Sequence, residues 1–175
     1  MTLLRRLKAW VVLLVGGGAA LAQTASPPPA CQSAEPRQFD FWIGRWEVFT
    51  PDGKKAGDNL IEAIDGGCAL LERWQGRGGF SGTSLNSWDA QARVWRQHWV
   101  DNQGGLLRLA GRFEGARMVL VASEPHPDRP GVTRQQRIGW TPLPDGAVRQ
   151  LWEQSDDEGA TWRVAFDGRY VRVRP

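Results

Sequence analysis

From Phe39 onward the chain runs in short segments where apolar and polar side chains alternate, broken by glycine- and Asx-rich turns. A period of two places successive side chains on opposite faces of a strand, so these segments are predicted as strands. They are WEVFT, DNLIEAID, CALLERWQ, FSGTSLNSWD, VWRQHWVD, GLLRLAGRF, RMVLVAS, TRQQRIGWT, AVRQLWEQS and WRVAFDGRYVRV, about ten strands in all. The joints between them include Pro51-Asp52-Gly53, Asp65-Gly66-Gly67, Asn102-Gln103-Gly104-Gly105, Glu114-Gly115 and Pro144-Asp145-Gly146. These are residues that accept tight hairpin geometry. No stretch keeps a helical period for three turns. Successive strands joined by tight turns predict an antiparallel up-and-down meander. About ten of them favour closure into a β-barrel, which leaves no exposed edge. A β-sandwich is the competing arrangement.

The first 38 residues lack this pattern. Residues 1–22 have a basic start (Arg5, Arg6, Lys8), an apolar run from Ala9 to Val15 and a small-x-small site at Ala20-Leu21-Ala22, as in a secretory signal peptide. The glycines at 16–18 leave the run short of the roughly 20 apolar residues a span requires. No membrane span is therefore expected after cleavage. Residues 23–38 are polar and proline-rich and read as a linker to a β-barrel domain over 39–175. Cleavage would remove three of the 22 basic residues and leave 19 against 19 acidic. That balance gives no reason to expect binding to nucleic acid or anionic lipid. Cys31 and Cys68 are the two cysteines. In an oxidising compartment an even count predicts a disulfide joining the linker to the barrel, with two free thiols as the alternative.

Gly44-x-Trp46 at the start of the first strand resembles the Gly-x-Trp signature of lipocalins and related calycin barrels. The resemblance implies a short 3₁₀ turn closing one end, a tryptophan in the barrel floor, and an arginine from a late strand packed across it. Arg169, Arg172 and Arg174 are candidates for that arginine. The segments FDFWIGRWEV, GCALLERW, VDNQGG and FDGRY further resemble an uncharacterised family of secreted bacterial proteins with lipocalin-like barrels, over most of 39–174. That family implies a fold and no reaction. Nitrobindins, another calycin-like group, bind haem through a histidine near the C-terminal end of the barrel. Here no histidine follows His126, and no cofactor is expected.

SDDEGATW, at 155–162, matches the Asp-box pattern through Ser155, Asp157, Gly159, Thr161 and Trp162. Asp boxes are best known from sialidase propellers, which need several four-stranded blades and far more chain than this. The motif is read instead as a hairpin staple: Asp157 accepts backbone amides, Gly159 takes a positive φ and Trp162 packs under the loop.

Candidate chemistry is sparse. His98 and His126 are the two histidines, too few for a multi-histidine metal site, and Gly-x-Ser-x-Gly is absent. Alternation from Trp46 gives an inner face carrying Leu70, Glu72 and Trp74, then Ser84, Asn86 and Trp88, then Trp95, Gln97 and Trp99. Ile138 with Trp140, Val148 with Gln150 and Trp152, and Trp162 with Val164 and Phe166 continue it. Buried amides and carboxyls need partners, so this face implies either a lumen that admits water or a ligand, or a core whose polar groups pair together. The expected function is an exported binder of a small, partly apolar or aromatic molecule. Its candidate binding residues are Glu72, Trp74, Ser84, Asn86, Trp88, Gln97, Trp99, Trp140, Gln150 and Trp152. One alternative is an enzyme using Glu72 as acid or base. Another is an envelope protein-interaction module, since all but two of the basic residues beyond 22 are arginine.

Overall fold

A computed structural model describes residues 31–173. The expected signal peptide, the first part of the expected linker and Arg174 lie outside the described residues. Ten strands follow in order: β1 (Gly44–Phe49), β2 (Lys55–Ile64), β3 (Ala69–Gly76), β4 (Ser81–Asp89), β5 (Val94–Asp101), β6 (Leu106–Glu114), β7 (Arg117–Pro125), β8 (Thr133–Pro142), β9 (Val148–Ser155) and β10 (Arg163–Arg172). Each strand pairs antiparallel with its sequence neighbours, and β1 pairs with β10 to close the ring. The barrel is thus the up-and-down form, with short 3₁₀ turns and no α-helix among the described residues. No helix there is long and apolar enough to cross a membrane.

The two ends differ. One is plugged by the 3₁₀ turn Asp40–Trp42 and the segment before it. Phe39 and Trp42 are fully buried and stacked, with ring centroids 5.0 Å apart, and both pack against Trp140. Trp46, from β1, donates its indole N–H to the Trp42 carbonyl at 2.8 Å. Arg172 lies over the Trp46 ring at 4.2 Å and donates to the Ile43 carbonyl at 2.8 Å. Of the two candidate arginines among the described residues, Arg172 is therefore the one that covers the tryptophan, while Arg169 pairs with Asp145. Gly44 takes φ 144°, and a Cβ there would run into the Arg172 guanidinium. Glycine is needed at that corner for both reasons.

Residues 31–38, expected as part of a linker, are a turn-rich arm lying on the plugged end. Cys31 is buried and bonded to Cys68, Pro36 is buried, and Gln32 donates to the Gly66 carbonyl. Glu35 pairs with Arg93 across an exposed surface. The segment forms neither helix nor strand, and the disulfide ties it to the barrel.

The Asp box closes the β9–β10 hairpin at the opposite end. Asp157 accepts from Thr161 N at 2.9 Å, Thr161 Oγ1 at 2.5 Å and Ser155 Oγ at 2.7 Å. Gly159 sits at φ 90°, and the Trp162 indole donates to its carbonyl. Trp162 was expected inside the barrel; it stands on the outer wall instead, beneath the Arg137 guanidinium at 4.0 Å. Val164, also expected inside, is 60% exposed, because the register shifts between Val164 and Phe166 and reverses the alternation before Phe166 turns inward. The Thr161 hydroxyl and amide hold the Asp157 carboxyl at about 2, below its ordinary 3.8. A depressed carboxylate contributes stability that is present above 3.8 and lost as pH falls towards 2. Asp157→Ala is expected to melt a few degrees below the parent at neutral pH, and the two curves should converge near pH 2. An unchanged melting temperature at neutral pH would remove the staple.

Candidate functional site

Alternation decides which face a side chain takes, and its position along the strand decides its height in the barrel. The inner wall is built in three layers. The lowest, beside the plug, holds Leu70, Trp88, Trp95, Met118, Trp140 and Val148. The middle is polar: Asn59, Glu72, Ser84, Asn86, Gln97 and Gln150, with Tyr170. The upper layer is aromatic again, with Trp74, Trp99, Trp152 and Phe166, and Phe80 at the rim. Trp88 lies opposite Trp95 and Asn86 opposite Gln97, each pair within one layer, while Ser84 faces Trp99 across the boundary between the middle and upper layers.

Above the polar layer the barrel is open, with a cavity of about 320 Å³ that suits a small organic molecule. Its walls are Trp74, Trp99, Trp152, Phe166, Leu107 and Ile138; its floor is Glu72, Gln97, Gln150 and Tyr170; its mouth carries Arg77, Phe80 and Asp101. The indoles are held in place. Trp152 donates to Gln136 Oε1 at 2.7 Å, and Gln136 in turn donates to Glu124 at 2.6 Å. Trp99 donates to Asp101 Oδ2 at 3.2 Å, and its ring folds over Gly82, where any Cβ would overlap it.

The floor is a connected network. Asn59 Nδ2 donates to Glu72 Oε1 at 2.7 Å, and Ser84 Oγ donates to Glu72 Oε2 at 2.5 Å. Asn86 Nδ2 donates to Ser84 at 2.8 Å, and Gln97 Nε2 donates to Asn86 Oδ1 at 2.9 Å. Tyr170 donates to Gln150 Oε1. Burial raises the Glu72 carboxyl above its ordinary 4.5, although hydrogen bonds from Ser84 and Asn59 work against the shift. Burial and the neighbouring Glu72 charge push Tyr170 well above 10. At the mouth, Asp101 is partly buried, yet the amides of Gly105 and Gln103 and the Trp99 indole hold its carboxyl below the usual range.

Six of the ten candidate binding residues therefore line one cavity: Glu72, Trp74, Gln97, Trp99, Gln150 and Trp152. Ser84 and Asn86 lie behind its floor and orient Glu72 and Gln97. Trp88 and Trp140 face inward at the plugged end and do not line the cavity. Trp88 borders a separate polar cleft with Glu35, Arg93 and Arg112, and Trp140 is fully buried under the plug. Asn59 and Tyr170 complete the floor without having been singled out. Asn59 shares parity with Gly57 and Ile61 on β2, and Tyr170 is the only tyrosine of the chain. His98 points outward and is exposed. Among the described residues no cluster of three or more His, Cys, Asp or Glu side chains could hold a metal ion.

The raised Glu72 titration has a stability consequence. A carboxyl whose folded pKa is raised contributes stability that is fully present below 4.5 and lost as pH climbs through the folded value. Glu72→Gln imitates the neutral acid and cannot ionise. The melting temperature of the variant is expected to gain on the parent steadily as pH rises above 4.5. A gap that stays constant with pH would mean that Glu72 is solvated.

No protein-family model matches the chain, and no characterised protein matches it in sequence.

Proposed function

We propose that the protein is an exported carrier that holds a small, partly apolar or aromatic molecule in the open half of its barrel. The supporting observation is the cavity itself, whose tryptophan walls give contact area and whose ordered amide and carboxyl floor gives orientation. A barrel that served only as a packed core would fill that volume, as the lower layer does. Export to the periplasm or beyond the cell is supported by the signal-like residues 1–22 together with the disulfide. A lipocalin-like origin is supported by Gly44, Trp46 and the Arg172 side chain across it, although ten strands make a wider ring than the eight of lipocalins.

An aromatic ligand among Trp74, Trp99 and Trp152 is expected to quench intrinsic fluorescence saturably. Gln97→Leu is expected to weaken binding about tenfold while the barrel stays folded. Silence across a broad aromatic library would defeat the carrier reading. One observation favours an enzyme instead, the buried Glu72 carboxyl with its raised pKa facing the cavity. Turnover of a bound compound, lost in Glu72→Gln with binding kept, would select that reading.

A further inference from the structure

The hydrogen-bond inventory of the floor is unbalanced. Asn59 Nδ2 is committed to Glu72 and Tyr170, Ser84 to Glu72, Asn86 Nδ2 to Ser84 and the Leu70 carbonyl, and Gln97 Nε2 to Asn86 and Ser84. An amide nitrogen has two protons and a hydroxyl one, so these donors are spent within the network, and Gln150 Nε2, whose own Oε1 accepts from Tyr170, is the floor donor left without a partner among the described residues. Acceptors remain. Asn59 Oδ1 is buried beside Glu72 and without a partner, and Gln97 Oε1 takes part in no hydrogen bond among the described residues. Each Glu72 oxygen accepts a single hydrogen bond and keeps room for another. Among the described residues no cation approaches Glu72. The side chains facing it from β2, β4 and β5 are the uncharged Asn59, Ser84, Asn86 and Gln97. From β10 comes Tyr170, and the nearest charges lining the cavity, Asp101 and Arg77, lie at its mouth.

A floor rich in acceptors, with one carboxyl and no counter-cation, fits a positively charged head with several protons to donate. Walls of tryptophan suit the same ligand, because indole faces attract cations as well as flat apolar bodies. We propose that the ligand is an organic amine with an aromatic body, its ammonium seated against Glu72 and Gln97 and its ring among Trp74, Trp99 and Trp152. This rests on the carrier reading above. Where Glu72 is protonated in the free protein, it gives up that proton as the amine binds. The proton passes to a neutral amine, or to solvent when the ligand arrives as ammonium, and carboxylate and ammonium face each other in either case.

The test is calorimetric titration of the disulfide-intact protein with phenethylamine and tryptamine, with their alcohols phenethyl alcohol and tryptophol, and with hydrocinnamate and indolepropionate. Both amines are expected to bind about tenfold or more tightly than the matched alcohols, as a charge-assisted contact requires. The ammonium form should gain affinity as pH rises and Glu72 ionises. Below that ionisation its heat should vary with the ionisation enthalpy of the buffer, whereas the heat for the alcohols should not. Glu72→Gln is expected to abolish the amine preference and keep the alcohols bound. Gln97→Met, which retains length without the acceptor, should reduce the preference and provides a second reading if Glu72→Gln fails to fold. Alcohols or acids binding as tightly as amines would overturn the proposal, as would an amine preference that survives in both variants. If other aromatic compounds quench the fluorescence while both amines stay unbound, the amine class alone falls. If nothing quenches, the carrier reading falls with it.

Discussion

Trp42→Ala is expected to lower the unfolding free energy by about 3 to 5 kcal/mol, the usual cost of emptying a large aromatic site in a core. Trp42 is fully buried at the base of the barrel and packs on Phe39, Trp140 and Tyr170 at once. Its neighbours come from the plug and two strands, so the vacancy cannot close by a shift of one element. Trp42→Phe should cost far less, because the Trp42 indole N–H is buried without an acceptor and its removal relieves an unpaired donor. Trp46→Phe should cost more than Trp42→Phe, since the Trp46 indole N–H is bonded to the Trp42 carbonyl and that partner would be left behind. Urea midpoints of the three variants check the order. Equal losses for the two phenylalanine substitutions would show that packing alone holds the plug.

Opening the Cys31–Cys68 bridge is expected to cost about 3 to 4 kcal/mol. It closes a loop of 37 residues, and on the chain-entropy account that constraint on the unfolded state is worth this much. The native side of the argument is local. Apart from the bridge, the arm is held by Pro36, one amide contact from Gln32, the Arg37 side chain paired with Asp40 and lying over Gly67, and an exposed ion pair of Glu35, and exposed pairs contribute little. A Cys31→Ser, Cys68→Ser protein should therefore unfold at lower urea and become open to proteolysis within 31–38. A midpoint that does not move on reduction would show that Pro36 and Phe39 suffice to dock the arm.

Strand content and order were readable because side chains alternate and the joints carry glycine and Asx residues, and both signals are local. Parity failed where the backbone bulges. Trp162 and Val164 obey the alternation on paper, and the shift before Phe166 turns them outward. Height was the larger loss. Trp88, Trp99, Trp140 and Trp152 share one inner surface, and that much follows from period two. Whether each stands near the plug or near the mouth depends on strand direction and on which end the 3₁₀ turn closes, and no sequence period records that. The floor network was half visible. Glu72, Ser84, Asn86, Gln97 and Gln150 stood out as polar residues at inward positions, whereas Asn59 opens the predicted strand DNLIEAID, for which the alternation named no inner-face residues. Its hydrogen bond to Glu72 spans two strands, as the bond from Ser84 does from the other side.

The seam between β1 and β10 is joined by four residue pairs, fewer than any other ladder in the ring. The other nine ladders are hairpins between consecutive strands, and the seam joins residues almost the whole domain apart, such as Trp46 and Arg172. Loop-closure entropy makes that pairing the costliest to form, so the hairpins assemble first and the ring shuts last. Until it shuts, β1 and β10 present unpaired backbone along their free sides, and β10 also carries the exposed apolar Val164 and Val171. The hazard of edge-to-edge association between chains is thereby concentrated in two strands that, in the closed barrel, have no edge at all.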